Sequence, residues 1–427
     1  MGMPSATRFI CGHATHPHWA MAAGLVVTQL KAQLEAAQVD AHTPLITQPN
    51  VALVYATDAY APHAEALLDH LRQSLPTIAH WCGTVGVGVC ASGVEYFDEP
   101  GLVVMLCEWQ QGAFQVFNGI SPLGQQAPQG FVPQAALVHA DPMTPMLGDL
   151  IQDVADLTTS GELFGGLCAS RHGAVQFAVN GWDQRPAALS HSGVFEGGLS
   201  GLAFGEGVGM VCRVTHGCQP LGPTREITRA SGHVVEELDR RPALDVLMDE
   251  LGVTLEDPAR AVEQVRRTLV GVSRASLATP GLTPAFGEEV MVRHIIGLDP
   301  GRDAVAIADE VEAGMRLSFC HRDVAAARAD LRRMATQVRD AVKSLSHSGA
   351  IDAPGTDGAS RAIWGAVYVS CSGRGGPHFG APHAELSVLR EALGDIPLVG
   401  FFAAGEIAHR QIHGYTGVLT VFTAGVQ

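Results

Sequence analysis

The chain has 427 residues, 47% of them hydrophobic and 16% charged, with a formal net charge of -16. That is core material for about two or three domains and too little charge for disorder. An acidic surface repels nucleic acid and anionic lipid, so neither is expected as a partner. No apolar run reaches the ~18 residues of a membrane span, so no membrane is expected either. The N-terminus lacks the basic start and cleavage site of a secretory signal. Nine cysteines, an odd count with no C-x-x-C pair, fit reduced thiols in the cytoplasm better than a disulfide framework.

From Pro17 to Ala37, apolar Ala20, Leu25, Leu30 and Leu34 recur at helical spacing. A unit that recurs begins next. Val51 to Tyr55 reads as a buried strand, Thr57, Asp58 and Pro62 as a loop, and Leu67, Leu68, Leu71 and Leu75 as one face of a helix stopped by Pro76. Trp81-Cys82-Gly83 then reads as a turn into another strand. In the second copy, Ala136 to His139 is the strand, Asp141, Pro142 and Pro145 the loop, and Leu150, Ile151, Val154 and Leu157 the helix face. Phe164-Gly165-Gly166 takes the place of the first copy's turn. The third copy has a strand at Val367 to Val369, a loop at Gly373 to Pro382, a helix face at Leu386, Leu389 and Leu393, and Pro397 to Gly400 closing it.

The first and third copies share Ala-Pro-His-Ala-Glu at 61–65 and 381–385. Proline at a first helical turn and glutamate near the positive helix end explain part of that identity. The spacing exceeds that of a solenoid and indicates duplicated domains.

Elsewhere, Val194 to Val214 alternates glycine with apolar residues, as bulged or tightly packed strands do. Val290 to Ile296, Ala304 to Ile307 and Met315 to Phe319 read as strands, and Ala243 to Leu251 and Arg322 to Leu345 as helices. Gly119 to Pro133 and Ser344 to Ser360 read as loops. The expected fold class is α+β: repeated strand–loop–helix units, mixed and largely antiparallel sheets covered by helices, and two related domains. The expected division is an N-terminal helical segment at 1–47, then domains at 48–240 and 241–427.

The chemistry concentrates in the third copy. Gly373-Arg374-Gly375-Gly376 lies between a strand and a helix, where backbone N–H groups and the helix start favour an anion and Arg374 can fork onto a carboxylate or phosphate. The alternative is a tight turn in which Arg374 pairs with Glu385 or Glu406. Glu406, in Gly405-Glu406-Ile407, either binds a ligand amine or caps the fold. An opposed Arg374 and Glu406, with Gly373, Gly375 and Gly405 allowing close approach, would suit an amino acid or similar small polar metabolite. Cys371 ends the strand and His383 starts the helix beside them, which completes the candidate ligand residues. His63 and His383 occupy matching places as helix-start residues or ligand contacts. His13, His16 and His18 cluster without a defined further metal ligand, so no metal site is expected. Cys82, Cys168 and Cys371 lie at strand ends with no local histidine base, and G-x-S-x-G and H-E-x-x-H motifs are missing, so no catalytic set is expected.

These residues also carry a family resemblance. Val51 through Asp98 to Glu108 resembles the start of a FIST N-terminal domain. Cys371 to Gly375, Phe379-Gly380-Ala381-Pro382 and Gly400 to Ile407 resemble the end of a FIST C-terminal domain, with His413 to Phe422 as the last strand. The resemblance covers about residues 48–415. It implies a sensory module that binds a small molecule, with amino acids proposed; the chain shows no F-box, histidine kinase or cyclase segment, so a stand-alone module would signal through a protein partner or only sequester its ligand. Certain members resemble haem-dependent nitric oxide sensors. By that analogy His16, His63, His139 or His383 would be axial ligands of a haem cofactor. A Cys-dependent enzyme using Cys82 or Cys371, and a protein-interaction scaffold, are the remaining alternatives.

Overall fold

The computed structural model describes residues 9–39, 46, 48–125, 127–182, 193–254, 257–274, 290–321, 324–348 and 363–424. The fold is α+β, with mixed sheets and helices. Packing divides the chain into two compact units, Met1–Thr215 with Leu331–Gln427, and His216–Asp330. This spatial division differs from the sequence division at 240/241, because the second unit is an excursion out of the first.

In the larger unit the three copies become three six-stranded sheets of one design. Each repeat begins with a lead strand: Phe9–Thr15, Phe114–Phe117 and Val208–Thr215. The first inner strands are Val51–Thr57, Ala135–Ala140 and Gly365–Cys371. The helices Ala64–Ser74, Leu147–Asp156 and Ala384–Leu393 follow. The second inner strands, His80–Gly86, Glu162–Leu167 and Leu398–Ala403, run parallel to the first. A hairpin and a return strand complete each repeat. The return strands Gly101–Cys107, Leu199–Phe204 and Gly417–Ala424 pair antiparallel with both the lead and the first inner strand.

The hairpins are exchanged in a ring. That of the first repeat, Gly88–Ala91 and Val94–Phe97, pairs with the second inner strand of the third repeat. That of the second, Val175–Val179 and Val194–Glu196, extends the first sheet. That of the third, Glu406–Ala408 and Gln411–His413, extends the second sheet. Each sheet is thus completed by its neighbour.

The unbroken apolar runs follow from this arrangement. Val51, Leu53 and Tyr55 face a central core shared with Phe164, Phe204, Val367, Phe401 and Phe422, drawn from all three repeats. Ala52, Val54 and Ala56 face outward, onto Val26 and Leu30 of helix Trp19–Val39 and Leu67 and Leu71 of helix Ala64–Ser74. A strand buried on both faces loses the period-2 alternation of a half-exposed one. Each fully buried leucine contributes about 2 kcal/mol of transfer free energy.

Two sequence expectations need correcting. Trp81–Gly83 and Phe164–Gly166 are strand, not turn. Their glycines serve a close approach, because a Cβ on Gly83, Gly165 or Gly400 would land on the carbonyl oxygen of the parallel neighbour, Val54, Val138 or Tyr368. The same contact at the same place marks the three repeats as copies of one plan. Gly83→Ala or Gly165→Ala should therefore cost about 3 kcal/mol or prevent folding. Gly24→Ala, in a half-buried helix position with nothing near the new Cβ, should gain about 0.5–1 kcal/mol. Urea denaturation of the variants checks the contrast.

The smaller unit carries helices Ala243–Leu251 and Pro258–Arg266 and an antiparallel sheet. Pairing of Thr268–Ser273 with both Met291–Asp299 and Arg316–His321 closes that sheet on itself around Val270, Val305, Leu317 and Phe319. The expected strands at 290–296, 304–307 and 315–319 are found as Met291–Asp299, Ala304–Ile307 and Arg316–His321. Of the expected loop Ser344 to Ser360, Ser344–Ser348 belong to helix Val324–Ser348, and 349–360 lie outside the described residues. The N-terminal segment adds a strand, Phe9–Thr15, to the expected helix.

Candidate ligand site in the third repeat

The carboxyl ends of the third repeat's inner strands carry the candidate residues, at the end where open α/β sheets hold their ligands. The strand ends at Cys371, and the chain makes two short helical turns, Ser372–Arg374 and Gly376–Phe379, before the helix. Gly375 sits where a Cβ would enter the ring of Phe97, from the hairpin given by the first repeat. Gly376 has φ 67°, a left-handed conformation.

That loop turns Arg374 inward. Its Nε and Nη2 donate to Glu385 Oε1 at 3.0 and 2.8 Å, and its Nη1 donates to the Thr215 carbonyl at 3.2 Å. Its guanidinium carbon stands 5.1 Å from the Phe379 ring centroid. Both Arg374 and Glu385 are 1% exposed. Glu385 also accepts from the Tyr368 hydroxyl at 2.6 Å and from Ser370 Oγ at 3.0 Å. Of the two partners the sequence left open for Arg374, the structure selects Glu385.

Glu406 opens the hairpin given to the second repeat, where it lies between Gly166 and His413 in strand register. A Cβ on Gly166 would collide with Ala403 and Val369, so only glycine fits beside it. Glu406 is 0% exposed. Its Oε2 accepts from the Thr416 N–H at 3.0 Å and from Thr416 Oγ1 at 2.7 Å. Its Oε1 has no partner at hydrogen-bonding geometry among the described residues, although the Cys371 thiol lies beside the carboxyl. Burial raises the carboxyl to about 7, against the opposing pull of Thr416, Arg374 and Cys371.

A third carboxyl completes the cluster. Glu95, from the first repeat's hairpin, accepts from the Leu386 N–H at 3.3 Å, and its own N–H donates to His383 Nδ1 at 2.9 Å. Burial, then the nearby Glu385 charge, raises it to about 7. His383 holds a left-handed φ of 61° at the helix start. Gly373 packs near Tyr415 and Cys371, and Gly405 against Ile412 and Leu167. The structure thus brings Cys371, Gly373, Arg374 and Glu406 together and sets His383 beside Glu95. A shallow cleft lined by Ser92, Leu386, Arg390 and Ile396 includes none of them.

Over residues 50–241 the sequence matches the FIST N domain, and over residues 243–409 the FIST C domain. The chain belongs to the FIST family. Domains of this family are sensory, small-ligand-binding modules of signal transduction. The join between the two matches falls inside the smaller unit, so the FIST C match takes in most of that unit together with the third repeat's inner strands and the first strand of its hairpin. An uncharacterized protein of Mycobacterium tuberculosis is 32% identical over 54% of this chain and 55% of its own length. An uncharacterized protein of Mycobacterium bovis is 32% identical over 49% of each chain. The chain spans about half the length of the curated relatives it matches.

The remaining candidate residues of this FIST protein lie apart from the cluster. His139 is fully buried in the central core, where its Nε2 is 3.2 Å from the Tyr55 hydroxyl and its Nδ1 3.7 Å from Cys82 Sγ; burial lowers it to about 3. His63 is exposed and stacks on Trp19, and His16 Nδ1 accepts from the His18 N–H at 3.0 Å. His13 Nδ1 lies 2.6 Å from the Tyr96 hydroxyl. Among the described residues no three His, Cys, Asp or Glu side chains converge as a metal ion requires. Burial pushes the Cys82 thiol well up, Cys168 up to about 12, and Cys371 up to about 11 with Glu406 adding to the rise. No described helix is long and apolar enough to cross a membrane.

Sequence reasoning missed Glu95 and Thr416. Glu95 is separated from its helix contact by 291 residues and arrives only through the exchanged hairpin. No local pattern announces such a neighbour.

Proposed function

We propose that this FIST protein senses a small polar ligand that bears an amino group, amino acids and related amines being the class, and that it holds that group on Glu406. One observation carries the reading: a fully buried carboxyl has one oxygen saturated by Thr416 and the other without a hydrogen bond among the described residues. Buried polar atoms are almost always paired, and an exception calls for a partner. An ammonium on Oε1 would supply it through a charge-assisted bond.

Arg374 serves this site indirectly in our reading. Its contacts with Glu385, Thr215 and Phe379 fix the loop on which Cys371, Gly373 and Gly375 sit. Binding rather than catalysis is supported by the thiols, since Cys82 and Cys371 are held protonated and a thiol nucleophile needs the thiolate. Nine free cysteines support a reducing, cytoplasmic setting. In this reading a signalling protein recognises the bound state.

Calorimetric titration with amino acids and small amines at pH 7.5 tests the site. A ligand of the wild type should bind Glu406→Gln at least tenfold more weakly. Equal affinity for the two proteins would remove Glu406 from the site.

A further inference from the structure

We infer that the ligand is a cation without a carboxylate: an alkylammonium compound rather than an amino acid. This rests on the reading that Glu406 receives the ligand, and it sharpens that reading by charge.

Among the described residues Arg374 is the only buried Lys or Arg. Three buried carboxyls belong to its cluster: Glu385 bonded to it, Glu406 within its electrostatic reach, and Glu95 beside Glu385. Arg374 is committed to Glu385, and its other donors reach the Tyr368 hydroxyl and the Thr215 carbonyl. Two carboxyls therefore exceed the available positive charge. A zwitterionic amino acid adds no net charge and brings a carboxylate among groups of like sign, with no buried cation left to receive it. Carboxylates sharing a desolvated site repel strongly enough to force protonation of one. An ammonium ion instead offsets one of the two excess charges and fills the open side of Glu406 Oε1.

The groups facing Glu406 agree with this assignment. Thr416, on the approach to its own return strand, donates twice to Oε2. Cys371, from the first inner strand, offers a neutral thiol. Gly166, from the second repeat, offers no side chain, and His413 is the cross-strand neighbour. Arg374 acts on Glu406 only through space. With the Glu406 carboxyl near pH 7, an ammonium must compete with a proton, so affinity should fall roughly tenfold per pH unit below that point and level off above it.

Matched pairs that differ by one carboxylate test the inference on the full chain: ethylamine with alanine, 2-aminoethanol with serine, and 1,4-diaminobutane with ornithine. Calorimetry at pH 6, 7 and 8 on wild type, Glu406→Gln and Glu406→Asp gives the readout. We expect at least one amine to bind ten times more tightly than its partner acid, to weaken at pH 6, and to be lost in Glu406→Gln. Glu406→Asp keeps the charge and should retain weakened binding, which separates loss of charge from loss of fold. If an amino acid binds more tightly than its amine and Glu406→Gln abolishes it, the charge inference is wrong and the Glu406 site stands. Binding unchanged in Glu406→Gln, or none by either series, overturns the site and the inference together.

Discussion

Glu406→Gln should raise the stability of the free protein at pH 8 by about 2 kcal/mol. The folded carboxyl sits near 7 against an ordinary value of 4.5. Ionising it inside the fold therefore costs about 3 kcal/mol relative to the unfolded chain. Glutamine keeps an oxygen for the two Thr416 donors and removes the charge. Its amide N–H groups then occupy the position of the unpaired oxygen, and leaving them unmet costs about 1 kcal/mol, which sets the net gain. The sign also fixes a pH window. Between about 4.5 and 7 the unfolded carboxyl is ionised while the folded one keeps its proton, so the folded state binds more protons and stability falls as pH rises. Below that window both states are protonated and the two proteins should differ little in slope. Urea denaturation of each protein at pH 4.5, 6 and 8 gives the comparison, and parallel profiles would show that the carboxyl is not held in its neutral form. Glu95, raised by burial and by Glu385, adds a second loss in the same window, so the slope should shrink in Glu406→Gln without vanishing.

A protein that holds an ionisable carboxyl against its solvation preference carries a destabilised site, and such sites mark function more often than chance. The stability of the free protein and its affinity for a cation are here two readings of one carboxyl. The substitution that strengthens the fold should remove the ligand.

The strand–loop–helix units were legible in the sequence because burial on both faces makes their inner strands unbroken apolar runs, as at Val51 to Tyr55. What escaped was pairing between distant segments. The hairpin Gly88–Phe97 belongs in space to the third repeat, and only the exchanged topology shows it. Gly83 and Gly165 were read as turn signals, yet they are required by the neighbouring carbonyls inside a parallel pair. The shared Ala-Pro-His-Ala-Glu shows how context decides. Glu65 is exposed at the start of its helix, while Glu385, in the same pentapeptide, is buried on Arg374. The first repeat reaches its helix through one continuous 3-10 helix, Asp58–His63, whereas the third passes through the loop that carries Arg374. Helix-start chemistry applies to both copies, and the arginine supplies a reason for burial in one.

That pair sets the other large effect. Arg374→Met should cost about 3–5 kcal/mol, because it leaves Glu385 buried with only the Tyr368 and Ser370 hydroxyls to meet its charge. The loss cannot be relieved by solvent, since the glutamate is 1% exposed, and Glu95 lies close enough to add repulsion. The double variant Arg374→Met/Glu385→Gln should be more stable than Arg374→Met alone, since a neutral amide can still accept from Tyr368 and Ser370. Glu385→Gln alone leaves the guanidinium with the Thr215 carbonyl, the Tyr368 hydroxyl and the Phe379 ring, and should fall between wild type and Arg374→Met. Urea denaturation of the four proteins closes a double-mutant cycle, in which the two losses should be strongly non-additive. A cost under about 1 kcal/mol for Arg374→Met would mean that Glu385 finds other compensation, and would leave the guanidinium available to a ligand anion. The cycle therefore decides between an arginine that builds the loop and one that reads the ligand: only the first couples its energy to Glu385 when no ligand is present.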